Sequence, residues 1–86
     1  MATREDLSLW VLEALRANGG RARLLDVCKH IWNHHEAELR ASGDLFFKWQ
    51  YDVRWAAQRL RHSGKLKALH QDKSGIWELK NPGDRA

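Results

Sequence analysis

Two stretches of this chain hold residues whose types and spacing could do chemistry. The first runs from Asp26 to Glu38 and holds Cys28, His30 and His34. His30 and His34 are four apart, which puts both imidazoles on one side of a helix, where they could grip a metal ion. The segment His30-Ile31-Trp32-Asn33-His34 lacks the glutamate that makes H-E-x-x-H a hydrolytic zinc motif. Asp26, one turn earlier, would be the third ligand. A solvated helix face accounts for the pattern more simply, and no metal site is expected. Cys28 is the sole cysteine and sits in an apolar helical pattern, so it reads as a small buried hydrophobe rather than a nucleophile. Glu36 and Glu38 lie on the polar side with no lysine placed to complete a nuclease cluster. There is no nucleophile elbow and no glycine-rich phosphate loop. The chain is expected to be neither an enzyme nor a cofactor binder.

The second stretch is of another kind. Between Lys48 and Lys73 lie seven basic residues (Lys48, Arg54, Arg59, Arg61, Lys65, Lys67, Lys73) against two acids, a net of +5. Eight basic residues against nine acids make up the rest, a net of −1, so the whole positive excess of +4 comes from this stretch. A local excess of this kind suits a surface that meets a polyanion. Gln50, Asp52 and Arg54 add hydrogen-bonding chemistry for base edges: glutamine with adenine, arginine with guanine, a carboxylate with an exocyclic amine.

The elements that must position these residues follow from period and punctuation. Thr3 caps a first helix, with Asp6 completing a variant capping box, and Leu7, Val11, Ala14 and Leu15 with Trp10 make its apolar face. Asn18-Gly19-Gly20 ends it. Arg21-Ala22-Arg23 reads as a short extended piece. A second helix runs from Leu24 to about Arg40, with Leu25, Cys28, Ile31 and Trp32 expected to face inward. Ala41 to Asp44 is a break, and Leu45-Phe46-Phe47 is an apolar clamp leading into a third helix from Lys48 to Ser63. Lys65 to His70 and Ile76 to Lys80 alternate like strands around the polar loop Gln71 to Gly75, a hairpin that must pack on the helices.

This order gives an α+β fold of the winged helix-turn-helix kind: three helices, a short strand near Ala22 and a C-terminal hairpin wing in one small antiparallel sheet. At 86 residues there is room for one core, so residues 1–80 form a single domain and 81–86 a frayed tail. The lone cysteine, an acidic Glu5-Asp6 pair near the start and the lack of a long apolar run point to a soluble, cytoplasmic protein without membrane contact.

A helical wheel divides the third helix. Trp49, Val53, Ala56, Ala57 and Leu60 share the core face. Lys48, Tyr51, Trp55, Gln58, Arg59 and His62 lie opposite, flanked by Asp52 and Arg54. Aromatics among charges on an outward face are unusual. Trp55 either packs against the wing or, with Tyr51, contacts bases.

The stretches Asn18 to Ala22, Leu45 to Ala57 (Leu-Phe-Phe-Lys-Trp-Gln-Tyr-Asp-Val-Arg-Trp-Ala-Ala), Leu60 to Leu66 and Gly75 to Leu79 together resemble the winged-helix domain of modification-dependent restriction endonucleases, including the N-terminal domain of the Mrr type. The more specific part is Val53-Arg54-Trp55-Ala56 followed by Leu60 and Gly64-Lys65-Leu66. The resemblance implies binding to double-stranded DNA and, in some members, sensing of N6-methyladenine by aromatic residues that enclose the methyl groups. It also implies a nuclease domain as partner in a longer parent or homologous protein, although this chain has none. The residues expected to meet DNA are Lys48, Trp49, Gln50, Tyr51, Asp52, Arg54, Trp55, Gln58, Arg59, Lys65 and Lys73. Two other functions fit the same features: a sequence-specific regulator indifferent to methylation, and a protein-interaction winged helix that uses Trp55 and Tyr51.

Overall fold

The computed structural model describes residues 2–67 and 76–79. Within them are α1 (Arg4–Ala17), β1 (Arg21–Arg23), α2 (Leu24–Arg40), α3 (Leu45–His62) and β2 (Ile76–Glu78), a small α+β fold of three helices and a two-stranded antiparallel sheet.

Each helix end has a local cause. At the start of α1 the Thr3 N–H donates to the Asp6 carboxylate at 3.0 Å, satisfying one of the amides that no helical carbonyl reaches. At its end Gly20 N–H bonds the Leu15 carbonyl at 2.7 Å and Gly19 N–H that of Arg16 at 3.2 Å, the paired bonds of a Schellman motif. Gly19 takes φ +78°, which costs glycine nothing. α3 stops the same way: Lys65 N–H bonds Leu60 at 2.9 Å, Gly64 N–H bonds Arg61 at 3.1 Å, and Gly64 has φ +83°. α2 contains a kink at His35, whose φ and ψ are −132° and 22°.

The sheet pairs Arg21 with Glu78, Ala22 with Trp77 and Arg23 with Ile76. Ala22 and Trp77 point inward and are buried, so the strands close one end of the helical core. Leu66 bridges Leu79, and Lys67 N–H donates to the Glu78 carbonyl at 2.9 Å. The chain after α3 thus returns alongside β2 as the alternating pattern predicts. The remainder of the expected hairpin, its loop with Lys73, and the C-terminal tail lie outside the described residues.

The core combines Leu7, Val11, Ala14 and Leu15 of α1, Val27 and Ile31 of α2, and Val53, Ala56 and Ala57 of α3, all fully buried. Two sequence expectations need correction here. Leu25 is 62% exposed, because the inward stripe of α2 centres on Val27 and Ile31, and Leu25 falls on its flank. The third helix begins at Leu45 rather than Lys48. Leu45 continues the buried stripe one turn before Trp49, while Phe47 projects into solvent at 84% exposure. None of the described helices is long and apolar enough to cross a membrane.

Candidate nucleic-acid interface

α2 and α3 join through the tight turn at Ala41 to Asp44 and meet along one flank of each helix. On α2 this flank carries Leu25, Cys28 and Trp32, and on α3 it carries Phe46, Gln50 and Arg54. Trp32 and Trp49 stack across the junction with planes 6° apart and centroids 6.0 Å apart. Phe46 tilts against Trp32 at 6.4 Å, and the Arg40 guanidinium lies 5.2 Å from the Trp32 ring centre.

Beside these rings the surface opens into a cleft of about 430 Å³ lined by Leu25, Cys28, Trp32, Phe46, Trp49 and Gln50, together with Lys29 and Asn33. A second hollow of about 400 Å³, lined by Leu24, Leu25, Cys28, Gln50, Tyr51 and Arg54, shares three of those residues. The two form one groove with an aromatic floor and polar, basic edges. Cys28 lies in its wall. Burial pushes its thiol pKa up, only partly offset by the Arg54 charge, so the group is a poor nucleophile.

Gln50, Tyr51 and Arg54 stand exposed along this groove, and Lys48 and Phe47 are exposed at the same end of α3. Gln58, Arg59 and Lys65 are exposed further along. Trp49 is only 5% exposed and contributes a ring face to the cleft rather than a projecting side chain.

Asp52 is likewise 5% exposed, although the wheel placed it beside the outward face. α1 makes the most extensive helix–helix contact with α3, and its Arg4 reaches Trp55, one turn along from Asp52. One Asp52 oxygen, Oδ2, is buried without a hydrogen-bond partner among the described residues. Trp55 lies on that same α1 side, half-buried. The Arg4 guanidinium stands 3.8 Å above its ring centre and that of Arg59 5.1 Å away. Among the described residues its ring contacts are with these two arginines.

Arg61 turns inward as well. Its guanidinium lies 5.5 Å from the Trp77 ring centre and donates to Gln58 Oε1 at 3.3 Å, and burial lowers its pKa. Lys67 pairs with Glu78 at 3.3 Å. Among the described residues, the basic stretch from Lys48 therefore divides between an exposed set (Lys48, Arg54, Lys65) and residues engaged within the fold (Arg59, Arg61, Lys67).

The sequence reading missed Leu25 and Phe47 as exposed apolar residues of this face, and Arg21 and Arg23 as outward cations of β1. The polar–apolar–polar alternation of Arg21-Ala22-Arg23 is the sequence signal for the two outward arginines. Arg23 directly precedes Leu24, which lines the groove. Comparisons with protein-family models, curated proteins and solved structures find no match to this chain.

Proposed function

We propose that this chain is a winged-helix module that binds double-stranded DNA with α3 as the reading helix and prefers duplexes carrying N6-methyladenine. The observation that carries the reading is the exposed row of Gln50 and Tyr51 in the N-terminal half of α3 and Arg54 at its midpoint, beside a groove with an aromatic floor. The N-terminal half of the second helix of a helix-turn-helix is the part that enters the major groove. Lys48, Arg54 and Lys65, with Arg21 and Arg23 on β1, supply cations for phosphates.

A methyl on the adenine amine projects into the major groove and leaves one N–H to donate. A reader needs an apolar wall for the methyl and an acceptor for that hydrogen. Tyr51 and Leu25 provide the wall, and the Gln50 amide oxygen is the acceptor. Asp52 has no part in this because its carboxylate is buried. One buried methyl is worth about 0.8 kcal/mol, a preference of about fourfold, and two methyls in a palindromic site multiply it.

The test is titration of the domain into matched duplexes, methylated and unmethylated, across a pool of flanking sequences. Tighter binding to the methylated set is expected, and equal affinity leaves a methylation-blind regulator. A second reading has an observation of its own: Phe47, Tyr51 and Leu25 are 84%, 79% and 62% exposed, the kind of apolar surface that also suits a protein partner. Salt separates the two, because phosphate contacts weaken steeply as ionic strength rises.

A further inference from the structure

The opposite flank of α2, away from the groove, faces α1 and carries His30 and His34. Glu13 of α1 points at them, and one possible ligand atom from each of Glu13, His30 and His34 lies within 4.8 Å of the others. We propose that these three residues form a binding site for a divalent transition-metal ion of the zinc class.

The hydrogen-bonding pattern fits such a site. His34 Nδ1 lies 2.9 Å from the His30 carbonyl oxygen. A carbonyl only accepts, so Nδ1 carries the hydrogen and Nε2 of the neutral ring holds the free lone pair. Metal-binding histidines commonly have this tautomer, fixed by a backbone carbonyl. His30 Nε2 stands 2.9 Å from Glu13 Oε2. Two donors on a tetrahedral ion, each about 2.0–2.1 Å from it, lie about 3.3 Å apart, so an ion replaces the shared proton with a small outward shift. The His30 and His34 rings stack at 4.0 Å, which keeps both on the same side of the helix. His34 is exposed, so an ion can reach the cluster from solvent.

The same carboxylate is also held by His35, whose Nε2 lies 3.3 Å from Glu13 Oε1. That nitrogen lies 3.1 Å from Glu13 Oε2, while His35 Nδ1 lies 2.8 Å from Glu38. The His35 ring stacks on Trp10 at 4.0 Å and 10°, and the kink at His35 turns this side chain toward α1. His35 is thus a positioning residue for Glu13.

Two imidazoles and one carboxylate suit zinc, nickel or copper better than magnesium or calcium, which prefer all-oxygen sites. Three protein ligands leave a fourth position for water. The third ligand comes from another helix, so the ion ties α1 to α2. Asp26, the third ligand that spacing within α2 would offer, is not in the cluster.

The test uses the full chain without a histidine tag, freed of metal by chelation, at about pH 7.5, above the ordinary pKa of about 6.5 of a free imidazole. Calorimetric titration with Zn²⁺ is expected to show one ion per chain. At a hundredfold excess over Kd, the melting temperature should rise by roughly 10–20 °C. His34→Ala and Glu13→Gln should each weaken Zn²⁺ binding by at least about tenfold, while His62→Ala, on α3, should leave it unchanged. His34 is exposed, so His34→Ala keeps the test valid if Glu13→Gln disturbs the packing of α1. Absence of a heat and of a thermal shift overturns the proposal. So does wild-type Zn²⁺ affinity in His34→Ala, which would reduce the cluster to a set of ion pairs. Because DNA binding is measured separately, this site stands or falls independently of the reading of α3.

Discussion

The rings of Trp32 and Trp49 lie parallel, 6° apart, with centroids 6.0 Å apart, and this contact joins α2 to α3 at the point where the groove opens. Trp49 is buried and Trp32 half-buried. Removing the half-buried ring should therefore cost less than removing a fully enclosed one. Trp32→Ala is expected to destabilise the fold by about 2–3 kcal/mol, read by urea denaturation. A change near zero would mean that the two helices are held without this stack.

The core face of α3 predicts a sharp contrast along one helix. Val53 is fully buried and Leu60 is 5% exposed, so truncation of either to alanine should cost about 2–4 kcal/mol through lost burial and a residual cavity. Tyr51 is 79% exposed, and Tyr51→Ala should change stability by no more than about 0.5 kcal/mol. Chemical denaturation of the three variants measures this directly.

Phosphate contacts predict a steep salt dependence for DNA binding. Affinity should fall as salt rises from about 50 to about 200 mM, and Arg54→Ala or Lys65→Ala should each reduce the slope of log K against log salt by about 1. Arg61→Ala should act differently, because its guanidinium is packed near Trp77. Loss of thermal stability, rather than a flatter slope, is its expected signature. A flat salt profile in the unmodified protein would remove the DNA reading.

Methylation preference should depend on Gln50 and Tyr51 and not on Asp52. Gln50→Ala and Tyr51→Ala are expected to narrow the difference between methylated and unmethylated duplexes, with melting temperature nearly unchanged. Asp52→Asn should leave that difference intact, since the carboxylate is 5% exposed. Fluorescence anisotropy on paired duplexes distinguishes them, and loss of discrimination in Asp52→Asn would mean that this side chain leaves its buried position on binding.

Glu13 predicts a dependence on acid. Burial raises its pKa, but the hydrogen bonds and charges of His30 and His35 outweigh this and hold it below the ordinary value of 4.5. A carboxyl with a lowered folded-state pKa contributes stability that is present above its unfolded value and lost as pH falls through the folded one. In metal-free protein, melting temperature should therefore decline on the acid side of about pH 4.5, and Glu13→Gln should flatten that part of the profile. The carboxylate is 44% exposed, so the effect should be small and reduced by salt.

Much of the architecture was legible in the chain because local chemistry dictates it. The Thr3 and Asp6 cap, the stop at Asn18-Gly19-Gly20, the bounds of α2 and the turn at Gly64 depend on residues within a few positions of one another. The core face from Trp49 to Leu60 follows from helical period alone, and all five residues named for it are buried. Tertiary packing decided the rest. A helical wheel gives directions but not which flank a neighbour covers, so it could not tell that Asp52 would be buried and Arg4 of α1 drawn onto Trp55 while Gln50 and Arg54 stay open. It gave His30 and His34 a common face, but Glu13 lies 17 residues before His30 on another helix. Proximity across that separation is set by the docking of α1 on α2, a long-range contact that no spacing within one helix encodes.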